Sequence, residues 1–185
     1  MTSHTSTERS NTQATTPETI YEESLELAKN SQSIIPFMED EIVRLEEESA
    51  AFVAGERENT EFTPFRLKQG VYGQRQADVQ MIRVKSPGGI ITTEAMDALG
   101  DITEKYAPLG KGHITTRENF QFHHIPLDQC PDALRLLGAA GLSTREACGN
   151  VVRNVVGAPT SGVCASEIFD PTPYLAAFVR FAVRH

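Results

Sequence analysis

The chain has 185 residues, of which 39% are apolar, and a formal net charge of −8 with a sequence pI near 5.1. This length suits one domain with an extension. The acidic balance opposes binding to the phosphates of nucleic acids, and no apolar run approaches the roughly 20 residues that a membrane span requires. The charge is uneven, because residues 1–61 hold 14 acidic and 4 basic residues whereas residues 62–185 hold 11 and 13.

The acidic charge lies in an amino-terminal region of two parts. Residues 1–18 are rich in serine and threonine and have no apolar stretch, which predicts a disordered tail of a cytoplasmic protein rather than a secretory signal. Residues 19–61 form an acidic leader, in which segments 19–29 and 36–52 have helical spacing of apolar residues. We expect two amphipathic helices that pack on the body or cover an edge. Their acidic faces are interpreted as solvated surface, with a partner contact as the alternative.

The body of the protein, residues 62–142, is predicted to be an α+β sandwich of the ferredoxin-like kind. Residues 65–68 precede two glycines and predict a short strand. In the loop that follows, Arg75 and two glutamines could approach a ligand or decorate a surface turn.

A second strand is predicted at residues 80–85, where apolar and polar side chains alternate. Ile82 and Val84 fall on one face, and Arg83 and Lys85 on the other. The Ser-Pro-Gly-Gly sequence that follows predicts a turn.

Two helices are predicted in the body. Thr92 or Thr93 is expected to cap the first, whose apolar stripe should face the core: Met96, Leu99, Ile102 and Tyr106. The second has Pro131 in its first turn and Gly141 as its C-cap. Its core-facing residues are expected to be Leu134, Leu137 and Ala140.

The segment from residue 113 to residue 125, HITTRENFQFHHI, sorts its side chains at a two-residue period. The polar members of one parity are His113, Thr115, Arg117, Asn119, Gln121 and His123. The apolar members of the other parity are Ile114, Phe120 and Phe122, and His124 shares that parity. We expect one strand that buries its phenylalanines and directs donors at an anionic or polar ligand. An ordinary strand with one solvated face is the simpler interpretation.

Arg153 stands in an otherwise apolar run, between two pairs of valines. A buried guanidinium without a partner is costly, so this side chain should meet an anion or point into a cleft. An anionic ligand and a structural carboxylate would both serve, and Glu167 and Asp170 are the nearest carboxylates that follow it in the chain.

The three cysteines are Cys130, Cys148 and Cys164, and no two of them form a close pair. This spacing is typical of small buried side chains rather than of metal ligands, so we predict no metal ligand in the chain. The sequence ends within an apparent helix that has no capping residue, which predicts a truncated protein.

Three runs of the sequence carry a family resemblance: MIRVKSPGGIITTEAMDAL, HITTRENFQFHHI and GNVVRNVVGAP. In this order they resemble the amino-terminal part of the sirohaem-containing sulfite and nitrite reductases, six-electron enzymes that also carry a 4Fe-4S cluster. The resemblance covers residue 62 to the end of the chain. It implies a ferredoxin-like half-domain at 62–142, followed at 143–185 by the start of the sirohaem-binding domain.

The resemblance also implies an activity. The complete protein would be an oxidoreductase that reduces sulfite to sulfide or nitrite to ammonia, with ferredoxin or a flavoprotein as the electron donor. The cysteine pairs that hold the 4Fe-4S cluster are expected beyond residue 185, so the chain alone should be inactive. The residues at hand suit sulfite and nitrite equally.

Individual residues match the family's motifs. Arg83 and Arg153 match the arginines that face the substrate anion, and are the expected catalytic residues. Thr115, Arg117 and Gln121 match positions that hold the macrocycle, whose eight carboxylates suit the bidentate geometry of arginine. The remaining expected cofactor contacts are Arg153 itself, Asn154 and His123, with Lys85 and Thr116 as neighbouring candidates. Neither His123 nor His124 is expected to bind the sirohaem iron.

Two other functions remain open from the sequence. The protein could be an inactive paralogue or an assembly subunit of such a reductase. More distantly, it could be a ferredoxin-like nucleic-acid-binding module with Phe120 and Phe122 as a stacking platform, although the acidic composition opposes this function.

Overall fold

The computed structural model describes residues 34, 35 and 38–183. The predicted tail and the first predicted leader helix lie outside the described residues. Short 3-10 turns at Pro87–Gly89 and Leu127–Gln129 join the elements, which in chain order are α1 (Glu39–Val53), α2 (Asn59–Lys68), β1 (Val71–Gly73), β2 (Val79–Val84), α3 (Thr93–Lys105), β3 (Gly112–Ile114), β4 (Phe120–Pro126), α4 (Cys130–Ala139) and α5 (Thr172–Val183). No helix in the described part of the chain is long and apolar enough to cross a membrane.

The strands form one antiparallel sheet in the order β1-β2-β4-β3. Ile82 and Val84 of β2 are fully buried, as their alternation predicts, and they share a core with Phe122 of β4. Helices α1, α3 and α4 complete this core with their apolar faces: Ile42, Leu45, Leu99, Ile102, Leu134 and Leu137. The predicted α+β class is confirmed.

Helix α3 begins where its capping residue is predicted. Thr92 is the N-cap, and its Oγ1 accepts a hydrogen bond of 3.2 Å from the backbone N–H of Ala95. The predicted core stripe is wrong at Met96, which is 53% exposed. The buried stripe runs instead through Ala95, Ala98, Leu99 and Ile102, and Met96 lies about 100° around the helix from Ala95.

The strand predicted at residues 65–68 is wrong, because these residues end helix α2. Phe62 and Phe65 are one helical turn apart and their ring centroids lie 6.5 Å from each other. Phe52 of α1 stacks on Phe62 at 4.5 Å. Burial of aromatic rings between two helices therefore outweighs the strand preference of this short segment.

The segment from 113 to 125 is a hairpin, so the prediction of one strand is also wrong. The backbone N–H of Thr115 donates to the carbonyl of Asn119 at 2.8 Å. Thr115 Oγ1 accepts from the backbone N–H groups of Arg117 and Asn119 at 3.3 and 3.2 Å. A threonine that bonds its own backbone in this way favours a turn. The prediction that Phe120 and Phe122 form a stacking platform for nucleic-acid bases is wrong as well, because Phe122 is buried in the core.

A β-bulge interrupts the alternation of β4. Phe122 pairs with Ile82, but Ile125 pairs with Gln80, so His123 and His124 together oppose the one intervening residue of β2. His124 takes the bulge conformation with φ +64°. The extra residue returns Ile125 to the core, where it is fully buried. The two-residue period that groups His124 with Phe120 and Phe122 therefore ends at Phe122.

Helix α1 is the second predicted leader helix, and it packs on the body through Ile42 and Leu45. Its acidic side chains also reach arginines of the body. Arg135 of α4 contacts Glu39 and Glu46, both at 2.8 Å. Part of the leader's negative charge is thus neutralised by the helical layer.

Candidate functional site

Four hydrogen bonds fold the segment 143–154 over the carboxyl end of β2. Two are made by Lys85, whose backbone N–H donates to the carbonyl of Ser143 at 2.8 Å and whose Nζ donates to the carbonyl of Val152 at 3.2 Å. Arg83 Nη1 donates to the carbonyl of Ala147 at 3.2 Å. The fourth joins Asn154 Nδ2 to the Ser86 carbonyl at 2.8 Å. These contacts bring Arg153 to the end of the strand that carries Arg83.

Arg83 belongs to a polar row that crosses three strands. It pairs in register with Gln121 of β4, which pairs in turn with His113 of β3. With its carboxamide oxygen facing Arg83, Gln121 accepts bonds from Nη2 and Nε at 2.7 and 2.9 Å. The row lies on the face of the sheet opposite Ile82 and Val84, because neighbouring residues of a strand point to opposite faces.

Three cations gather around Cys148, and we name Arg83, Lys85 and Arg153 the cation cluster. Burial raises the pKa of the Cys148 thiol, and the charges of Arg83, Arg153 and Lys85 each oppose this rise. Cys148 is buried whereas Arg153 is exposed. The structure thus brings Arg83 and Arg153 to one site, and adds Lys85 to them.

The cation cluster has no carboxylate partner within 4 Å among the described residues. Glu167 and Asp170, the two carboxylates considered as partners for Arg153, instead accept hydrogen bonds from backbone groups of their own loop. Glu167 Oε2 accepts from the backbone N–H of Gly162 at 2.6 Å, and Asp170 Oδ1 accepts from that of Thr172 at 2.9 Å. The charges of Arg83 and Arg153 therefore remain available to an anion from elsewhere.

Lys85 does not project from the sheet as its alternation suggests, because the segment 143–154 covers it. Only 3% of its surface is exposed. Burial lowers the pKa of its ammonium, Arg145 lowers it further, and Glu146 and Cys148 act in the opposite direction. The sequence carries no local signal for this burial, since it depends on residues about 60 positions later.

The β3–β4 turn meets the same segment through Arg117 and Asn154. Arg117 Nη2 donates to the carbonyl of Asn154 at 3.1 Å, and Asn154 Nδ2 donates back to the carbonyl of Arg117 at 3.0 Å. Arg117 and Thr116 are exposed, whereas Asn154 is buried. The hydroxyl of Thr115 is engaged in the turn.

His123 lies on the polar side of the sheet with Gln74 as its partner. Gln74 Nε2 donates to His123 Nδ1 at 3.3 Å, and Gln74 Oε1 accepts from the backbone N–H of His124 at 2.6 Å. Burial lowers the pKa of His123, and His124, His113 and Arg83 lower it further. Gln74 comes from the loop expected either to approach a ligand or to decorate a turn, and its contacts here are with protein groups.

A cavity of about 790 Å³ lies next to this region, between the Pro87–Gly89 turn, residues 155–161 and the start of α5. Glu118 is its one charged lining residue, so it differs in character from the cation cluster. A second cavity of about 10 Å³ adjoins Lys85 and Asn154. Within the cation cluster Arg153 is exposed, Arg83 is half-buried and Lys85 is buried.

The cysteines lie in three separate environments. Cys130 is buried in the core, which raises its pKa to about 12. Cys148 is buried beside the cation cluster, and Cys164 is exposed. Within the described ranges, no group of three or more His, Cys, Asp or Glu side chains is arranged to hold a metal ion.

Comparison with known families gives a match over residues 72–140, to the nitrite/sulfite reductase ferredoxin-like half domain. The chain carries this half domain. The match covers the first two of the three sequence runs and confirms the resemblance over them, and the four-stranded sheet with its packed helices is the fold of the half domain.

Relatives of known name extend beyond the half domain. A sulfite reductase [ferredoxin] of Mycolicibacterium paratuberculosis is 39% identical over 100 residues, which cover 54% of this chain and 18% of the relative. A chloroplastic ferredoxin–nitrite reductase of Arabidopsis thaliana is 32% identical over 148 residues, which cover 78% and 25%. A solved structure of the NirA protein of Mycobacterium tuberculosis superimposes with a TM-score of 0.63 at 28% identity, covering 70% of this chain and 27% of NirA. The chain thus spans about a fifth to a quarter of the curated relatives it matches.

Proposed function

We propose that the protein carrying this half domain reduces sulfite to sulfide or nitrite to ammonia, with sirohaem and a 4Fe-4S cluster as cofactors. The proposed electron donor is ferredoxin or a flavoprotein, and the names of the relatives, which pair ferredoxin with sulfite or nitrite reduction, support the former. We further propose that residues 62–142 are the half domain, that residues 143–185 begin the sirohaem domain, and that the 185-residue chain alone is inactive.

The observation that carries this proposal is the cation cluster without carboxylate partners. Sirohaem is a polycarboxylate, and an oxyanion substrate adds further negative charge. The guanidiniums of Arg83, Arg117 and Arg153 have no acid within 4 Å among the described residues. They are suited to pair with ligand carboxylates in bidentate fashion. The residues present fit the macrocycle.

Hydrogen-bonding capacity refines the proposed role of each predicted contact. Thr115 Oγ1 accepts from two backbone N–H groups, and its own proton can be donated to a ligand. Gln121 turns its oxygen to Arg83, which leaves its amide protons for a carboxylate. Asn154 uses Nδ2 for the carbonyls of Ser86 and Arg117, so we assign it the role of orienting Arg117.

In the proposed mechanism, Arg83, Arg117 and Arg153 would hold sirohaem, which would supply the redox chemistry for reduction of the oxyanion. Arg83 and Arg153 neutralise the anion as it binds and stabilise the negative charge that grows as electrons arrive.

The 4Fe-4S cluster does not fit the described residues. A cluster of this kind needs cysteine thiolates, and the three cysteines here lie apart, with the pKa of Cys130 and of Cys148 raised by burial. We therefore assign the cluster ligands to residues outside the described ones and derive no step through them. The same observation favours a second candidate function, that of an inactive paralogue or an assembly subunit of such a reductase.

Two measurements test the proposal. The complete protein from the source organism, supplied with reduced ferredoxin, should consume sulfite or nitrite and show the absorption spectrum of sirohaem. Absence of both would favour the assembly subunit. Separately, the full 185-residue chain should bind uroporphyrin III, an iron-free macrocycle with eight carboxylates, and higher salt should weaken that binding because salt screens exposed charges. Binding that does not depend on Arg83, Arg117 or Arg153 would contradict the proposed site.

A further inference from the structure

Lys85 is the most deeply buried member of the cation cluster. Only 3% of its surface is exposed, and no carboxylate lies within 4 Å of its ammonium in the described part of the chain. A buried charge without an ionic partner is unfavourable compared with an apolar side chain of similar volume. The ammonium therefore needs a reason to be present that the packing of the core does not supply.

The contacts of Lys85 and the next residue lie on either side of Arg153. Lys85 Nζ donates to the carbonyl of Val152, which precedes Arg153. The carbonyl of Ser86 accepts from the side chain of Asn154, which follows Arg153. Arg153 itself is exposed between these two anchored neighbours. Two consecutive residues at the end of β2 thus fix the backbone from which Arg153 projects.

A small cavity completes the arrangement. Its volume is about 10 Å³, and its lining combines Lys85, Arg153 and Asn154 with five apolar residues. Asn154 Oδ1 is buried without a hydrogen-bond partner in the structure. This volume is close to that of a single water. The ammonium has three protons, of which one is donated to Val152. A water in this space could accept from Lys85 and donate to Asn154.

We propose that Lys85 is a positioning residue, which holds Arg153 beside Arg83 through the Val152 carbonyl and through one buried water shared with Asn154. This inference rests on the proposed anion site. The charge of Lys85 points into the protein and acts on the ligand through the placement of Arg153. Loss of Lys85 should therefore remove the contribution of Arg153 to binding while leaving that of Arg83.

A double-mutant cycle tests this role on the full 185-residue chain with uroporphyrin III at low salt. Lys85→Met keeps the length of the side chain and removes its donors, and should weaken binding about tenfold, a loss expected for one good hydrogen bond. In the Arg153→Ala background, Lys85→Met should have little further effect, because coupled residues are not additive. Lys105→Met, which removes an exposed lysine of α3, is the control and should change affinity less than about twofold, as exposed pairs contribute little.

A second variant separates positioning from folding. Lys85→Arg keeps a charged donor and can fill the space assigned to the water, so it should bind within about threefold of the parent chain. If urea unfolding shows that Lys85→Met is not folded, Lys85→Arg still tests the proposal. A loss with Lys85→Arg as large as that with Arg153→Ala would overturn the proposal.

The outcomes distinguish the positioning role of Lys85 from the existence of the anion site. If the losses of affinity caused by Lys85→Met and Arg153→Ala multiply in the double variant, the two residues act independently. That result would overturn the positioning role of Lys85 and leave the proposed function standing. Unchanged binding in Arg83→Ala and Arg153→Ala would overturn the proposed anion site, and the role of Lys85 with it.

Discussion

Replacing Arg153 with alanine separates the folding of this chain from its chemistry. The side chain is exposed, and it makes no hydrogen bond or ion pair with the described residues. Its neighbours stay anchored through Lys85 and Ser86. We therefore expect the free energy of unfolding to change by no more than about 0.5 kcal/mol, as for other surface substitutions.

Ligand binding should respond much more strongly. A hydrogen bond to a charged group contributes roughly 1.5 to 3 kcal/mol, and each 1.4 kcal/mol corresponds to about tenfold in affinity. Arg153 is exposed to solvent, which screens its charge, so we expect the lower end, about tenfold, for uroporphyrin III. If the proposed reductase activity is correct, a bound cofactor would exclude water from this site, and sulfite or nitrite turnover should fall by one to two powers of ten, by roughly the same arithmetic.

Calorimetric titration and urea unfolding of the same samples would measure both effects. Arg57→Ala is a matched control, because this exposed arginine pairs with Glu48 away from the cation cluster. Arg153→Lys should recover part of the affinity, since it restores the charge without the bidentate geometry. Unchanged affinity with unchanged stability would refute the assignment of Arg153 to the anion site. A large loss of stability would instead assign it a structural role.

Three further predictions concern packing, thiol reactivity and pH. Phe122→Ala should lower the free energy of unfolding in urea by about 3 to 5 kcal/mol, because Phe122 is 1% exposed in the core, and a loss below ~1 kcal/mol would contradict that packing. In the folded chain a thiol reagent should label Cys164 first, since its hydrogen bond with Ser166 lowers its pKa, whereas burial raises the pKa of Cys130 to about 12; equal labelling rates would argue against these environments. Because burial lowers the folded-state pKa of His123, stability should fall as pH drops from the ordinary histidine pKa through the lowered one, and unfolding curves of His123→Gln at several pH values should show a smaller fall.

The elements that local pattern predicts well are those in which burial follows a regular period. In β2 the alternation of Ile82 and Val84 with a polar residue is read directly from the sequence, and both are buried. The N-cap of α3 is equally local, because Thr92 bonds a backbone group three residues away. No distant contact is needed for either prediction.

Two errors have the same physical origin. The polar residues between His113 and Gln121 continue the two-residue period by chance, although the hydroxyl of Thr115 closes a turn there. Phe65 favours a strand by propensity, but the contact of its ring with Phe62 belongs to a helix. In each case a specific contact outweighs a statistical preference.

The candidate site was predictable only in part. Its two arginines came from the family resemblance, while the residues alone left open whether Arg153 meets a ligand or a structural carboxylate. The burial of Lys85 depends on how the segment 143–154 crosses β2. Such long-range folding leaves no trace in the local sequence around residue 85.

Because of the bulge in β4, the number of residues between Phe122 and Ile125 decides which face of the sheet the later side chains occupy. Deleting one histidine would remove the bulge and keep Ile125 opposite Gln80 on the core face. Deleting both would turn every later side chain of the strand to the opposite face, so Ile125 would leave the core and face the side that carries Arg83. Exchanging His124 for another residue is a milder change, and glycine adopts its positive φ at the least cost. Natural variants of this strand should therefore tolerate substitution at position 124, or the loss of one histidine, far better than the loss of both.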